Sequence, residues 1–402
     1  MFPRLIALAP LLFPLYLLRG ELFGIPVTLP EVLLGFAFIY FVFSEGVWRR
    51  SWWTKYGHYY KVWPLALFVL AGVLGAWVAP DVSAMIDGTE FPAKMRALGI
   101  LKGWILAPMI YFFMAKFYFV QKPSLIKMSL RALLLGGVFL SLQALYQVVT
   151  GEFLTPDGRA SGPFESANYL ALYLGPIVVY AFMAFIRERN VSWKIFLVLS
   201  GILCLAALYA TQSYAAWIAV VVAFVVALGV HARKLPRKVK AGIVASLVVV
   251  AALAVISQLG TDKFAQFLDF SGQSSSSVRI EIYQIAAAMI QDHPILGIGL
   301  GQFEQLYQVM AVDVLGQEPF EWNMLHPHNI FLGMWLSMGL LGLVAFVWLC
   351  LAGLPWLMEQ DKKERRIAAL MLVAMLAHGL FDTPYFKNDL AFEFWLLMAI
   401  LL

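Results

Sequence analysis

Charge is what this 402-residue chain has least of: 13% of its residues are charged, against 62% hydrophobic. Its mean hydropathy is +0.80. A soluble domain of this length seldom exceeds half apolar, so the shortage excludes an ordinary water-soluble globule and leaves a polytopic membrane protein. Cysteine is almost missing too. Cys204 and Cys350 both fall inside apolar runs, which reads as two packing thiols and excludes a disulfide framework. No Walker A loop, nucleotide fold or thiol-redox pair is present, which argues against an energy-coupled pump. Internal repeats, low-complexity tracts and flexible interdomain linkers are lacking as well. The opening "MFPRLIALAPLLFPLYLLRGE" resembles a signal peptide without a small-x-small cleavage site, and it reads as a retained first helix.

What the chain has is apolar runs of about 20 residues, the length that crosses a bilayer. They fall near 2–20, 27–47, 62–80, 97–118, 130–150, 167–186, 193–210, 212–230, 240–258, 328–353, 366–381 and 388–402. The expected fold class is therefore an all-α polytopic membrane protein of about twelve transmembrane helices. In a soluble protein the net charge of +5 would suggest nucleic acid. Here most of the basic residues, among them Arg49, Arg50, Arg233, Lys234, Lys362 and Lys363, sit in alternate short loops. Most acidic residues lie in the other loops or within helices. By the positive-inside bias both termini are expected in the cytoplasm, with no nucleic-acid partner. Two loops on the far side are long, 151–166 and 259–327. The chain thus divides into helices over 1–258, a long outer loop with amphipathic helices over 259–327, and three closing spans over 328–402.

Polar residues at the edge of these runs are the functional candidates. "SGQSSSS" (271–277) reads as a mobile or helix-capping stretch. It precedes a Ser-capped helix expected over about 278–291, with Ile282, Ile285, Met289 and Ile290 as its apolar stripe, ended by Asp292-His293-Pro294. Arg279 would stand in its first turn, the wrong end of the helix dipole for a cation. Either an anion such as phosphate occupies that end, or Arg279 pairs with Glu281 or Asp292 at the surface. The glycines of "GIGLGQF" (297–303) follow a proline break rather than a strand, so they read as a close-packed turn and not a dinucleotide loop. In the shorter outer loop Pro156-Asp157-Gly158 forms a turn. Arg159 after it is either a functional cation or the partner of Asp157 or Glu165, and Asn168 opens the next span.

"LHPHNIFLGMWLSMGLLG" (325–342) sets His326, His328 and Asn329 against a lipid-facing run. The histidines could ligate a metal, although their spacing matches no common zinc pattern. They could cap a helix or meet a carbonyl, or one could accept a proton, since imidazole titrates near ~6.5. Asp382 in "HGLFDTPYF" would orient such a base or cap a turn, with His378 on the same face of a continuous helix.

Three stretches together resemble the O-antigen ligase and polymerase superfamily of bacterial envelope glycosyltransferases. They are "GRASGPFESANYLALYLG", "SSVRIEIYQIAAAMIQDHPILGIGLGQF" and "HPHNIFLGMWLSMGLLGL", and the likeness spans about 155–390. The resemblance implies transfer of a glycan from an undecaprenyl-diphosphate carrier to a hydroxyl acceptor, with inversion and without metal or other cofactor. It places the reaction on the periplasmic face of the bacterial inner membrane. In the ligase branch the acceptor is the lipid-anchored lipid A–core oligosaccharide. Carried over by position, Arg279 would hold the diphosphate and His328, the histidine followed by Asn, would be the base. Asn329 and Asp382 stand beside it, His326 shapes the approach, and Arg159 matches a polar position of the family. The chain departs from the family at "TQSYAAW", where Tyr214 replaces a phosphate-binding arginine, and at Ser337, where an acidic residue is usual. Either Arg159 supplies the missing charge or Tyr214 hydrogen-bonds a phosphate oxygen. A polymerase or a protein O-oligosaccharyltransferase would share this chemistry. A transporter would need charges deep in several helices, and the sequence offers Lys102 as the one clear example.

Overall fold

The computed structural model describes residues 1–22, 25–80, 83–86, 89–232, 274–359 and 361–402, together with 256 and 259. The described residues are predominantly helical, as an apolar composition with nowhere else to satisfy its backbone requires. Among the described residues five helices are long and apolar enough to cross a membrane, or six if the bent pair Leu29–Glu45 and Arg50–Tyr59, turned by 97°, is one span. The five are Ala93–Gln121, Ser124–Thr150, Ala167–Arg187, Val191–Ala210 and Ile330–Leu357. The protein is therefore a multi-pass membrane protein. Several of the expected twelve spans are shorter apolar helices, such as Phe2–Leu17 and Val62–Val78, and the one expected at 240–258 falls almost wholly outside the described residues. Two small antiparallel hairpins interrupt the helical chain, pairing Arg19–Leu22 with Ile25–Thr28 and Ser83–Ile86 with Thr89–Pro92.

The closing pair of spans takes a form the hydropathy did not foretell. Lys363–His378 and Asn388–Leu401 are short, and the second is buried along nearly its whole length. It packs against Ala107–Gln121, Lys363–His378 and the 3₁₀ segment Ala9–Leu17. A helix wrapped on all sides need not match the bilayer thickness by itself. Its aromatic anchor is shared: Trp395 Nε1 donates to the Tyr385 hydroxyl (3.1 Å), which donates to the carbonyl of Trp104 (2.6 Å). Lys102 is not the deepest charge. It lies 3.0 Å from Glu31, the residue that closes the capping box of Leu29–Glu45 with Thr28, whereas Asp389 and Glu393 are wholly buried in the last helix.

The outer loop carries its own apolar core. Helices Ser275–Asp292 and Phe303–Leu315 bury Ile282, Ile285, Met289, Phe303 and Tyr307 against one another. The expected stripe is confirmed, with Ile290 half-buried at its edge. The helix begins three residues earlier than the serine run suggested. Ser274 caps it, accepting from the Ser277 amide at 3.1 Å, and Ser275 to Ser277 are helical. Residues 271–273 lie outside the described residues.

Candidate active site

His328 occupies the turn between the outer loop and the helix Ile330–Gly353. Its φ is +45°, a left-handed conformation that costs a non-glycine residue about 1 kcal/mol or more and persists only where the surroundings enforce it. Pro327 precedes it and Asn329 follows as the helix cap, its side chain accepting from the amides of Phe331 (2.9 Å) and Leu332 (3.2 Å). The cap is clamped to the next loop: Asn329 Nδ2 donates to Leu380 O (3.2 Å), and the Ile330 amide to Gly379 O (2.8 Å). That loop delivers Asp382. Its Oδ1 lies 3.3 Å from His328 Nδ1 and also accepts from the Thr383 amide (2.8 Å). The carboxylate is 3% exposed, while the imidazole keeps 22%. Helix Lys363–His378 ends before Asp382, so the condition for a shared helix face is not met, and the two meet in a turn in which the Asp382 amide donates to the His378 carbonyl (3.1 Å).

Burial pushes the Asp382 carboxyl up, but His328 foremost, then His326 and His378, outweigh it and hold the group well below the usual carboxylate range. His326 stacks edge-on against His328, ring centroids 4.8 Å apart. Burial, followed by repulsion from His328, pushes its pKa down to about 4, and Asp382 opposes this only in part. His326 is thus neutral near pH 7. A histidine depressed in the folded state takes up its proton more readily when unfolded, so stability falls as pH drops from ~6.5 towards 4. Thermal unfolding of the purified protein is expected to show that acid limb, and His326→Gln to flatten it. An unchanged limb would relocate the titration. The donor atoms of His326, His328 and Asp382 all lie within 4.8 Å of one another, the spacing at which three residues could also hold a cation.

Arg279 approaches from Ser275–Asp292. Because that helix starts at Ser275, Arg279 sits in its second turn, past the amides that lack helical partners, so the helix end places no anion beside it. Glu281, one of its suggested partners, accepts instead from the Phe320 amide (2.9 Å). The helix is tied to the histidine by a residue the sequence reading missed. Tyr283, one turn on from Arg279 and within its electrostatic reach, donates to the carbonyl of His328 (3.1 Å) and lies 3.4 Å from that of Leu380. Only its place one turn beyond Arg279, on the same helix face, could have flagged it.

The two elements are also locked through main chain. Gly339 has φ +69° and ψ −177° inside the helix Ile330–Gly353, a break that strips helical partners from neighbouring groups. The glycine turn after Pro294 takes them up. Ile295 O accepts from the Leu340 amide (2.9 Å), and the amides of Ile298 (2.8 Å) and Gly299 (3.3 Å) donate to Leu336 O. The close-packed turn expected of "GIGLGQF" is realised, with Gly297 at φ +68° against the carbonyls of Leu336 and Trp335.

Arg159 is engaged by its own loop, as one of the two sequence readings had it. Its Nε meets Asp157 at 2.5 Å, and Nη1 donates to Asn168 (3.2 Å) and the Thr211 carbonyl (3.3 Å). The Pro156–Gly158 turn is present, with the Gly158 amide donating to Thr155 O (3.1 Å). Thr211 begins the turn that ends at Tyr214, whose ring packs edge-on against Trp217 at 5.5 Å. Arg159 therefore contacts the turn that leads to Tyr214. Tyr169, beside Asn168, faces His326 at 6.3 Å between ring centroids and links this loop to the histidines. Lys387, also unforeseen, lies behind it, its ammonium 4.3 Å from the Tyr169 ring and 3.5 Å from Phe164.

The family model described as O-antigen ligase matches residues 199–347, the stretch that holds Tyr214, Arg279, His326, His328 and Asn329. No curated protein matches the chain. Over these residues, which include the broken His-Asn helix and the Arg-led helix locked to it, the chain is similar to the O-antigen ligase family.

Proposed function

We propose that the protein is a metal-independent glycosyltransferase that moves a glycan from an undecaprenyl-diphosphate carrier to a hydroxyl on a lipid-anchored saccharide. The observation that carries this reading is the His328–Asp382 pair at a helix end, joined through Tyr283 to the helix of Arg279. Asp382 faces Nδ1 and fixes the ring, which leaves Nε2 as the basic nitrogen. Nε2 takes the proton of the acceptor hydroxyl as the oxygen attacks the anomeric carbon. The bond from that carbon to the diphosphate breaks, its electron pair departing with the carrier, and Arg279 stabilises the charge that collects there. Arg159 and Tyr214, at one turn, are the further contacts to the donor, and His326 and Asn329 shape the approach. A single displacement inverts the anomeric centre. The distribution of basic loops supports a reaction on the periplasmic face of the inner membrane, with both termini cytoplasmic. One dominant outer loop favours ligation to lipid A–core over repeat-unit polymerisation.

Purified protein given a defined undecaprenyl-diphosphate glycan and lipid A–core is expected to release undecaprenyl diphosphate and yield a glycosylated acceptor. Lengthened carrier-bound glycan instead would identify a polymerase, and no transfer to any hydroxyl would reject the reading. Arg279→Ala should raise KM for the donor by about 10- to 100-fold, the worth of a lost charge-assisted contact. An unchanged KM would remove Arg279 from the diphosphate.

A further inference from the structure

The last helix carries two carboxylates that nothing so far explains. Asp389 and Glu393 are both 0% exposed, and none of their four oxygens has a hydrogen-bond partner. Their i, i+4 spacing puts them on one face. Asp389 is the better served, standing in the first helical turn with Lys387 Nζ 3.7 Å away. Glu393 feels the like charge of Asp389 and has no cation acting on it. A carboxyl group so far from water, with neither hydrogen bond nor counter-charge, is held neutral by a proton unless a cation takes the proton's place.

Further buried oxygens lie on the elements around the last helix. Tyr173, on Ala167–Arg187, is fully buried, its hydroxyl has no hydrogen-bond partner, and both carboxylates act on it. The segment Ala9–Leu17 runs as 3₁₀ helix for nine residues, well beyond the usual three or four. Pro14 within it has no N–H to return to the carbonyl of Leu11. A Cβ built on Gly136 would lie 3.5 Å from the Tyr173 hydroxyl and 3.7 Å from the carbonyls of Leu11 and Pro10, so all three surround one point. Phe13 stacks on Phe392 with centroids 5.1 Å apart, which fixes this irregular stretch beside Glu393. Irregular backbone and intramembrane acids together are what membrane proteins use to hold dehydrated ions.

We infer that Glu393 and Asp389, with the Tyr173 hydroxyl and the Leu11 carbonyl, form a binding site for a monovalent alkali cation. All the donors are hard oxygens, as such a cation requires. With Lys387 and Asp389 offsetting each other, one single charge in place of the Glu393 proton leaves the cluster neutral, and a divalent ion would overshoot. Arg19 and Glu165, which act on Lys387 from outside, offset each other. The bound ion would join the last helix to the first, and so brace the loop that carries Asp382 and Lys387. This does not rest on the glycan-transfer reading.

The test is thermal unfolding of the full-length protein in lipid nanodiscs, in NaCl and in choline chloride at equal ionic strength, with ²²Na⁺ binding alongside. The midpoint should rise saturably by several degrees in Na⁺ alone, with one ²²Na⁺ bound per chain. Glu393→Gln should abolish both. Should that variant not fold, Tyr173→Phe carries the test, with about tenfold more Na⁺ needed for half of the rise. Coincident midpoints in Na⁺ and choline, or no bound ²²Na⁺, would overturn the site.

Discussion

His328→Ala is expected to lower glycan transfer by about 10²- to 10⁴-fold, the contribution a positioned general base makes. Folding should survive, because the groups that hold the turn are not on the imidazole. Asn329 caps the helix, Tyr283 binds the His328 carbonyl and Gly379 accepts from the Ile330 amide. Alanine tolerates φ +45° less readily than asparagine does, so His328→Asn is the companion that keeps the backbone content while removing the base. Donor binding should persist in both, since the diphosphate rests on arginine. The measurement is single-turnover transfer from a purified lipid-linked donor, next to the thermal midpoint. Near-wild-type transfer in His328→Asn would eliminate it as the base. A loss confined to His326→Ala would move the role one imidazole over, to a ring 4.8 Å away.

Gly297→Val should be the most damaging change outside the His328–Asp382 pair. Gly297 has φ +68°, which strains a β-branched residue, and its Cβ would run into the carbonyls of Leu336 and Trp335. Neither carbonyl can swing away, because both belong to the helix that presents His328. Strain and overpacking together are expected to cost about 3 kcal/mol or more. The readout is loss of the cooperative thermal transition and of extractable protein. Should the variant still fold, the turn would have to leave Leu336, and activity would fall although no catalytic residue had changed. Wild-type stability with full activity would show that the turn does not hold the helix pair together.

Much of this was legible in the residues. Apolar runs announced a helical membrane protein, and the serine run, the Asp-His-Pro stop and the glycine turn each formed as their chemistry demands. His328 and Asp382 could be singled out because polar groups at a lipid edge are expensive. Their pairing was less legible, since it joins residues more than fifty positions apart through a helix end and a turn. Arg279 was misplaced in its helix because Ser275 to Ser277 look like caps when only Ser274 is one. Asp389 and Glu393 escaped notice for a different reason. Both acids lie near the start of the span expected at 388–402, where Lys102 had been taken as the one clear intramembrane charge, and only the surrounding helices reveal that they are wholly covered.

The break at Gly339 has a consequence for how such a protein can change over time. The helices bearing the base and the arginine are held together by carbonyl and amide groups of residues 295–299, 336 and 340, atoms that every amino acid carries. Substitution at Ile295, Leu296 or Ile298 leaves those bonds available. Under the proposed reaction, residues that would meet a particular sugar or acceptor can therefore be exchanged without resetting the spacing between the helices of His328 and Arg279. A frame written in main chain would let such a protein take up new glycans while retaining the proposed reaction.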